Sequence, residues 1–263
     1  PIWNVLIFIF IIISSTPFYS SAQTSAIKPA IEKLKAGKQF EKNGQYDKAI
    51  ASYQLALIIF SRHERLDGVA VSLQNIGMMY KSLGKYDKAI EQFLQSLGIF
   101  RELRDGNGIA LVLTNIGSTY KSWGKYDKAI EHYQAALAVE HKLGREGKVS
   151  TLLSKTALMY QLIGQYDKAL DYLERALAIE QKLGREAKVA IRLNNIGMIY
   201  DSLGQYDKAI GHYQQSLAIK QELGEKTATA LNNIGMVYIK KGQYDKALDY
   251  FERTLAIEQK TEK

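Results

Sequence analysis

The sequence predicts an all-α solenoid of six helical hairpins, and three observations predict it. The pentapeptide Tyr-Asp-Lys-Ala-Ile/Leu begins at Tyr46, Tyr86, Tyr126, Tyr166, Tyr206 and Tyr244, so one unit recurs at a spacing of 40 residues and finally of 38. Apolar residues inside each unit return at three- and four-residue intervals, the period of a helix rather than a strand. All three prolines, Pro1, Pro17 and Pro29, precede Ala30, so proline breaks no helix from there to Lys263.

The chain opens on an address. Ile2 to Ile13 is almost wholly apolar, and Ser14, Ser15, Thr16 and Pro17 end the run ahead of the small residues Ser20 and Ala22. That length suits a secretory core segment and falls short of the ~20 residues that span a bilayer. Residues 1–22 are therefore read as a signal peptide without its basic beginning, 23–29 as a linker, and 30–263 as the solenoid. The repeats run at about 30–65, 66–105, 106–145, 146–185, 186–225 and 226–263. Export to a periplasm or the exterior is expected, the alternative being an uncleaved N-terminal segment that anchors the chain to a membrane.

Each unit has two helices. In the second repeat, Val69, Ala70, Leu73, Ile76, Gly77, Tyr80 and Leu83 form one apolar stripe, and Tyr86, Ala89, Ile90, Phe93, Leu94, Leu97 and Phe100 form the next. Between them Gly44, Gly84, Gly124, Gly164, Gly204 and Gly242 stand where a left-handed cap ends the first helix, and the Asp that follows places negative charge in the first turn of the second. Gly37, Gly77, Gly117, Gly197 and Gly235 fall inside first helices, with Ala157 the one substitute. Gly there costs roughly 0.5–1 kcal/mol relative to Ala, so a close approach of the paired helix is expected at these points. The two-residue shortening falls between Gly224 and Asn232, in a loop.

Ile76-Gly77-x-x-Tyr80 in the first helix and Ala89-x-x-x-Phe93 in the second resemble the tetratricopeptide repeat. The resemblance covers about Ala30 to Lys263. Leu73 stands where that family usually has Trp, no repeat ends in Pro, and the period exceeds the usual ~34 residues, which looks like the kinesin light chain type. The resemblance implies a right-handed superhelical solenoid whose first helices line a concave groove, a non-catalytic role, and a protein or peptide as partner.

The residues themselves exclude much chemistry. Without cysteine there is no disulfide, thiolate metal site or thiol nucleophile. His63, His132, His141 and His212 include no pair at metal-binding spacing, and no metal or cofactor is expected. Gly144-Arg145-Glu146-Gly147-Lys148-Val149-Ser150 superficially resembles a nucleotide phosphate loop, but its Gly spacing is wrong and its Lys precedes Val, so it reads as a turn. The formal charge of +8 is spread once per repeat by the pentapeptide lysines, Lys48 to Lys246, each beside an Asp, which favours a solvated edge over a nucleic-acid track. The tyrosines fit hairpin interfaces better than base stacking.

The candidate site is an amide row. Asn75, Asn115, Asn195 and Asn233 share one register, two before the helix Gly, although Asn is a poor helix former. Asn194 and Asn232 extend the row, and Lys155 and Lys35 replace Asn in the fourth and first repeats, where they favour an acidic group. By the resemblance, these side chains bind an extended peptide; an amide suits that task because it donates and accepts. The alternative is that they bond neighbouring repeats to each other. Met78, Met198 and Met236 are either groove lining or core. A scaffold that holds a protein segment is the expected function. A structural subunit that associates end to end, and the sensor arm of a longer enzyme or signalling protein, are the alternatives.

Overall fold

The computed structural model describes residues 21–261, and the expected address at 1–20 lies outside them. The described residues form twelve α-helices. In pairs they are α1 (Ser21–Lys42) and α2 (Tyr46–Arg62), α3 (Leu66–Ser82) and α4 (Tyr86–Glu102), α5 (Gly106–Ser122) and α6 (Tyr126–Lys142). The next pairs are α7 (Glu146–Leu162) and α8 (Tyr166–Lys182), α9 (Glu186–Ser202) and α10 (Tyr206–Glu222), α11 (Ala228–Lys240) and α12 (Tyr244–Thr261). The fold is all-α, as the repeat predicts. Residues 23–29, read as a linker, lie inside α1 instead, because Ile27, Ala30 and Leu34 supply a helical apolar stripe that is buried against α2. Pro29 is exposed on the opposite side of that helix.

The glycine stops fall where the sequence puts them. Gly84 has φ +70°, its N–H donates to the Lys81 carbonyl at 3.0 Å, and the Lys85 N–H reaches the Tyr80 carbonyl at 2.9 Å, which satisfies carbonyls that the helix end would orphan. The glycines inside first helices have the expected reason as well. A Cβ on Gly37 would meet the Tyr53 ring at 2.5 Å, one on Gly117 the Tyr133 ring at 2.7 Å, and one on Gly197 the Tyr213 ring at 2.7 Å. In the fourth repeat the second helix offers Leu173, and there Ala157 fits in the same cluster.

The chain divides into two compact units, one to Val139 and one from Glu140. In the first, α1 to α3 enclose Ala49, Tyr53, Phe60, Ile76 and Met79. In the second, α7, α8 and α9 bury Ala157, Leu173, Ile196 and Ile199, and α10 with α11 bury Tyr213, Leu217, Ile234 and Val237. The pentapeptide lysines have a shared structural place: Lys88 lies 5.9 Å over the Tyr80 ring, Lys168 5.3 Å over Tyr160 and Lys208 5.2 Å over Tyr200. A charge that reads as a solvated edge thus also clamps the two helices of a hairpin.

Candidate functional site

A first helix that buries one stripe must present another. In α9 the core takes Val189, Ala190, Leu193, Ile196, Gly197 and Ile199, which leaves Ile191, Asn194, Asn195, Met198 and Ser202 on the remaining face. The same registers in α7 are Thr151, Ser154, Lys155, Leu158 and Leu162, and in α11 Thr229, Asn232, Asn233, Met236 and Lys240. Leu158, Met198 and Met236 share one register and are 37%, 42% and 45% exposed. Met198 and Met236 are thus surface residues, whereas Met78 in the first unit is half-buried against the core.

Of the predicted site residues in the second unit, Lys155, Asn194, Asn195 and Asn233 are half-buried and Asn232 is exposed. The structure brings two of them into contact: Asn233 Nδ2 donates to Asn194 Oδ1 at 3.1 Å, from one repeat to the next. Asn194 also points its amide at Met198 Sδ, 3.7 Å away. Asn195 makes no side-chain hydrogen bond among the described residues. Asn232, in the register of Asn194, lines a hollow with Thr229, Phe251 and Leu255 in the last hairpin. In the first unit Asn75 and Asn115 are half-buried at equivalent places on α3 and α5, and Lys35 is exposed on α1.

Further cross-repeat links border the row. Lys240 Nζ reaches Asp201 Oδ2 at 2.7 Å and Oδ1 at 2.9 Å, tying α11 to α9. In the first unit Lys81 Nζ donates to Ser118 Oγ at 2.6 Å, tying α3 to α5. Ser118 also hydrogen-bonds Tyr133, whose phenol burial pushes up to about 12 against that bond. The sequence reading missed Leu158, Leu162, Ile191 and Ile239 on this face. The signal was present in the forty-residue register, which aligns Leu158 with Met198 and Met236.

Two of the four histidines stack on tyrosine rings. His132 stacks on Tyr120 and His212 on Tyr200, at centroid distances of 5.4 Å and 5.3 Å. Among the described residues no group of three or more His, Asp or Glu is placed to hold a metal ion, and no helix is long and apolar enough to cross a membrane.

A tetratricopeptide repeat family model matches residues 33–102, 68–140 and 148–222, and another model of that repeat matches 228–260. The chain belongs to the tetratricopeptide repeat family. No curated protein matches it significantly. Among solved structures, BtubC (BKLC) from P. vanneervenii is similar over 92% of this chain and 93% of its own, with 24% identity and a TM-score of 0.68. A Podosopora anserina protein described as a putative kinesin light chain with nearly identical TPR-like repeats is similar over 72% of this chain and 95% of its own, with 22% identity and a TM-score of 0.62. Aspartyl phosphate phosphatase F from Bacillus subtilis is similar over 91% of this chain and 72% of its own, with 15% identity and a TM-score of 0.67. At these identities the likeness establishes the helical-hairpin fold. That fold is generally non-catalytic and consistent with binding other proteins.

Proposed function

We propose that the protein is a non-catalytic scaffold that holds an extended segment of a partner protein along the first helices of its second unit. The observation that carries this reading is the register row of Leu158, Met198 and Met236, large apolar side chains left 37–45% exposed beside Lys155, Asn195 and Asn233. Apolar contacts of this kind supply affinity, methionine adapts to varied side chains, and amides recognise a main chain. At 8–10 Å per packed helix the two steps from Lys155 to Asn233 cover on the order of 16–20 Å, or five to six residues of extended chain. The test is capture of a partner by the full chain, repeated with Met198→Glu and Met236→Glu together. Lost capture at an unchanged thermal midpoint supports the reading, and unchanged capture refutes it.

Export belongs to the same reading and rests on the sequence around Ile2–Ala22. Mature protein beginning at Gln23 is the expected product of N-terminal sequencing; membrane-retained protein with the segment intact favours the anchor.

One observation favours self-association as a second reading. Leu248 and Leu255 are 58% and 54% exposed, whereas Ile210 and Leu217 at the same registers are buried. A molecular mass that rises with concentration, and returns to the monomer value in Leu248→Glu, would establish it.

A further inference from the structure

The loops between hairpins of the second unit carry near-identical sequences, Gly144-Arg145-Glu146-Gly147-Lys148 and Gly184-Arg185-Glu186-Ala187-Lys188. Together they line an open cavity of about 610 Å³ into which Arg145, Lys148, Arg185 and Lys188 converge with Thr151. Glu146 is the carboxylate on this wall, and Lys182 Nζ neutralises it at 2.8 Å. Two further carboxylates lie behind the wall and are buried. Glu140 stands 3.6 Å from Arg145 and 3.3 Å from Lys148, and Glu180 stands 3.6 Å from Arg185 and 3.7 Å from Arg192. The 3.6 Å separation from Glu180 orients the Arg185 guanidinium without consuming all of the donors it carries, and Lys188 has no side-chain partner among the described residues. The cavity is lined by four cations, Arg145, Lys148, Arg185 and Lys188, and by Glu146. Even with Glu140, Glu180 and the loop's Glu186 set against these cations together with Lys182 and Arg192, positive charge is left over.

Backbone geometry reinforces the charge. The Arg185 guanidinium lies against Gly147, where a Cβ would overlap Nη1, so the glycine of one loop makes the seat for the arginine of the next. Arg145 and Arg185 also stand at the N-caps of α7 and α9 and offer no side-chain acceptor to the first-turn N–H groups, which adds the positive end of each helix to the same region.

We propose that this cavity binds a phosphate group. A carboxylate is planar and satisfied by one guanidinium fork, whereas cations that approach from two loops suit a tetrahedral oxyanion with charge near −2. The volume leaves room for whatever carries the phosphate, either a phosphorylated side chain or free phosphate itself. The loop lacks the Lys-Ser/Thr pair of a nucleotide phosphate loop, so the recognition proposed is of a phosphate group and not of a nucleotide by that motif. It lies mainly on the inter-hairpin loops and meets the first-helix face only at Thr151, so variants at Met198 and Met236 leave it untouched and the two sites are tested separately.

The test titrates the full chain with inorganic phosphate, with acetate, and with chloride at matched ionic strength, reading backbone amide shifts of residues 144–151 and 184–188. Phosphate should saturate these shifts where chloride and acetate do not. Lys188→Gln removes a cation that has no side-chain partner among the described residues without adding a carboxylate beside Glu180, and Gly147→Ala unseats the flexible end of Arg185 without touching the core; each should weaken phosphate by about tenfold or more with little change in thermal midpoint. A phosphoserine peptide that binds more tightly than free phosphate identifies a phosphorylated chain as the source, and equal binding identifies free phosphate. Shifts that follow ionic strength alone, acetate that matches phosphate, or variants that bind as the wild type does would each overturn the proposal.

Discussion

Asn233 donates its side-chain amide to the Asn194 carbonyl oxygen at 3.1 Å, so the amide row carries a link between α9 and α11 as well as free amides. Asn233 can contribute to both the link and binding, since this bond uses only one of its amide's hydrogen-bonding groups, whereas Asn195 takes no part in the link. Asn233→Ala should lose about 0.5–1.5 kcal/mol of hydrogen bonding and regain about half a kcal/mol of helix propensity. Asn195→Ala has only the propensity to gain. In urea denaturation, a double-mutant cycle on Asn194 and Asn233 should return a coupling of about 0.5–1.5 kcal/mol. A coupling of zero would remove this link from the stability of the second unit.

Asn195→Ala gives the complementary expectation for binding. It should raise the thermal midpoint slightly and weaken capture of the partner, because its amide is uncommitted among the described residues. Stronger or equal capture with the variant would take Asn195 out of the binding surface.

Gly197 and Tyr213 show why a poor helix former stands at that register. Ala at this position gains about 1 kcal/mol of propensity, but its Cβ would sit 2.7 Å from the Tyr213 ring, and overpacking costs about 1–3 kcal/mol. A net loss of up to about 2 kcal/mol is expected for Gly197→Ala. Tyr213→Leu should cost less in a chain that already carries Gly197→Ala than in the wild type, since Ala157 and Leu173 already form such a pair. Additive costs in urea denaturation would show that the two positions do not share the contact.

The hairpins, their glycine stops and the small residue at each close approach were legible in the sequence because they repeat in register, and a steric need leaves the same residue type each time. Three features were not. The start of α1 was obscured by Pro29, which reads as a boundary but sits on the exposed side of a helix held by Ile27, Ala30 and Leu34. The Asn194–Asn233 bond joins different registers of adjacent repeats, so alignment of equivalent positions does not display it. Glu140 and Glu180 look like surface residues, yet both are buried where the first two repeats place Phe60 and Phe100. The cue was coupled replacement: Gly68 and Gly108, which receive those rings, become Lys148 and Lys188 where the ring becomes a carboxylate.

Glu64 adopts φ +53° at the register that Gly144, Gly184 and Gly224 fill with φ of +62° to +66°. A side chain is strained there, and Glu64→Gly should therefore stabilise the first unit by about 0.5–1 kcal/mol despite the added freedom of the unfolded chain. A lower thermal midpoint for the variant would contradict this.

Burial lowers the pKa of His132, with Glu131 opposing and Lys128 assisting, and burial lowers that of His212, with Glu174 opposing. The unfolded chain takes up these protons near the ordinary value of about 6.5, while the folded chain waits for lower pH. Below that value the unfolded state binds more protons, so stability falls as pH falls and is unaffected by these groups above it. Replacing both with Gln, the residue at this register in Gln92, should flatten the acid decline of the thermal midpoint. An acid limb identical to the wild type would assign the decline to other groups.

Glu180 anchors a buried polar cluster in the second unit. It is fully buried, accepts a hydrogen bond from Ser150 Oγ at 2.6 Å and lies 3.7 Å from the buried Arg192 guanidinium. Glu180→Ala strands that guanidinium in the interior, and breaking a buried pair from one side costs about 3–5 kcal/mol. Removing the whole arrangement is a different matter. Glu180→Phe with Lys188→Gly restores the ring-on-glycine contact of Phe60 and Gly68, and Arg192→Val takes the residue that Val112 provides at that register. Apolar packing of similar volume is often as stabilising as the ions it replaces, so the triple variant should recover most of the loss. Urea denaturation of the wild type, the single and the triple variants decides the matter: a single variant as stable as the wild type would mean that the buried carboxylate does not hold Arg192 in place.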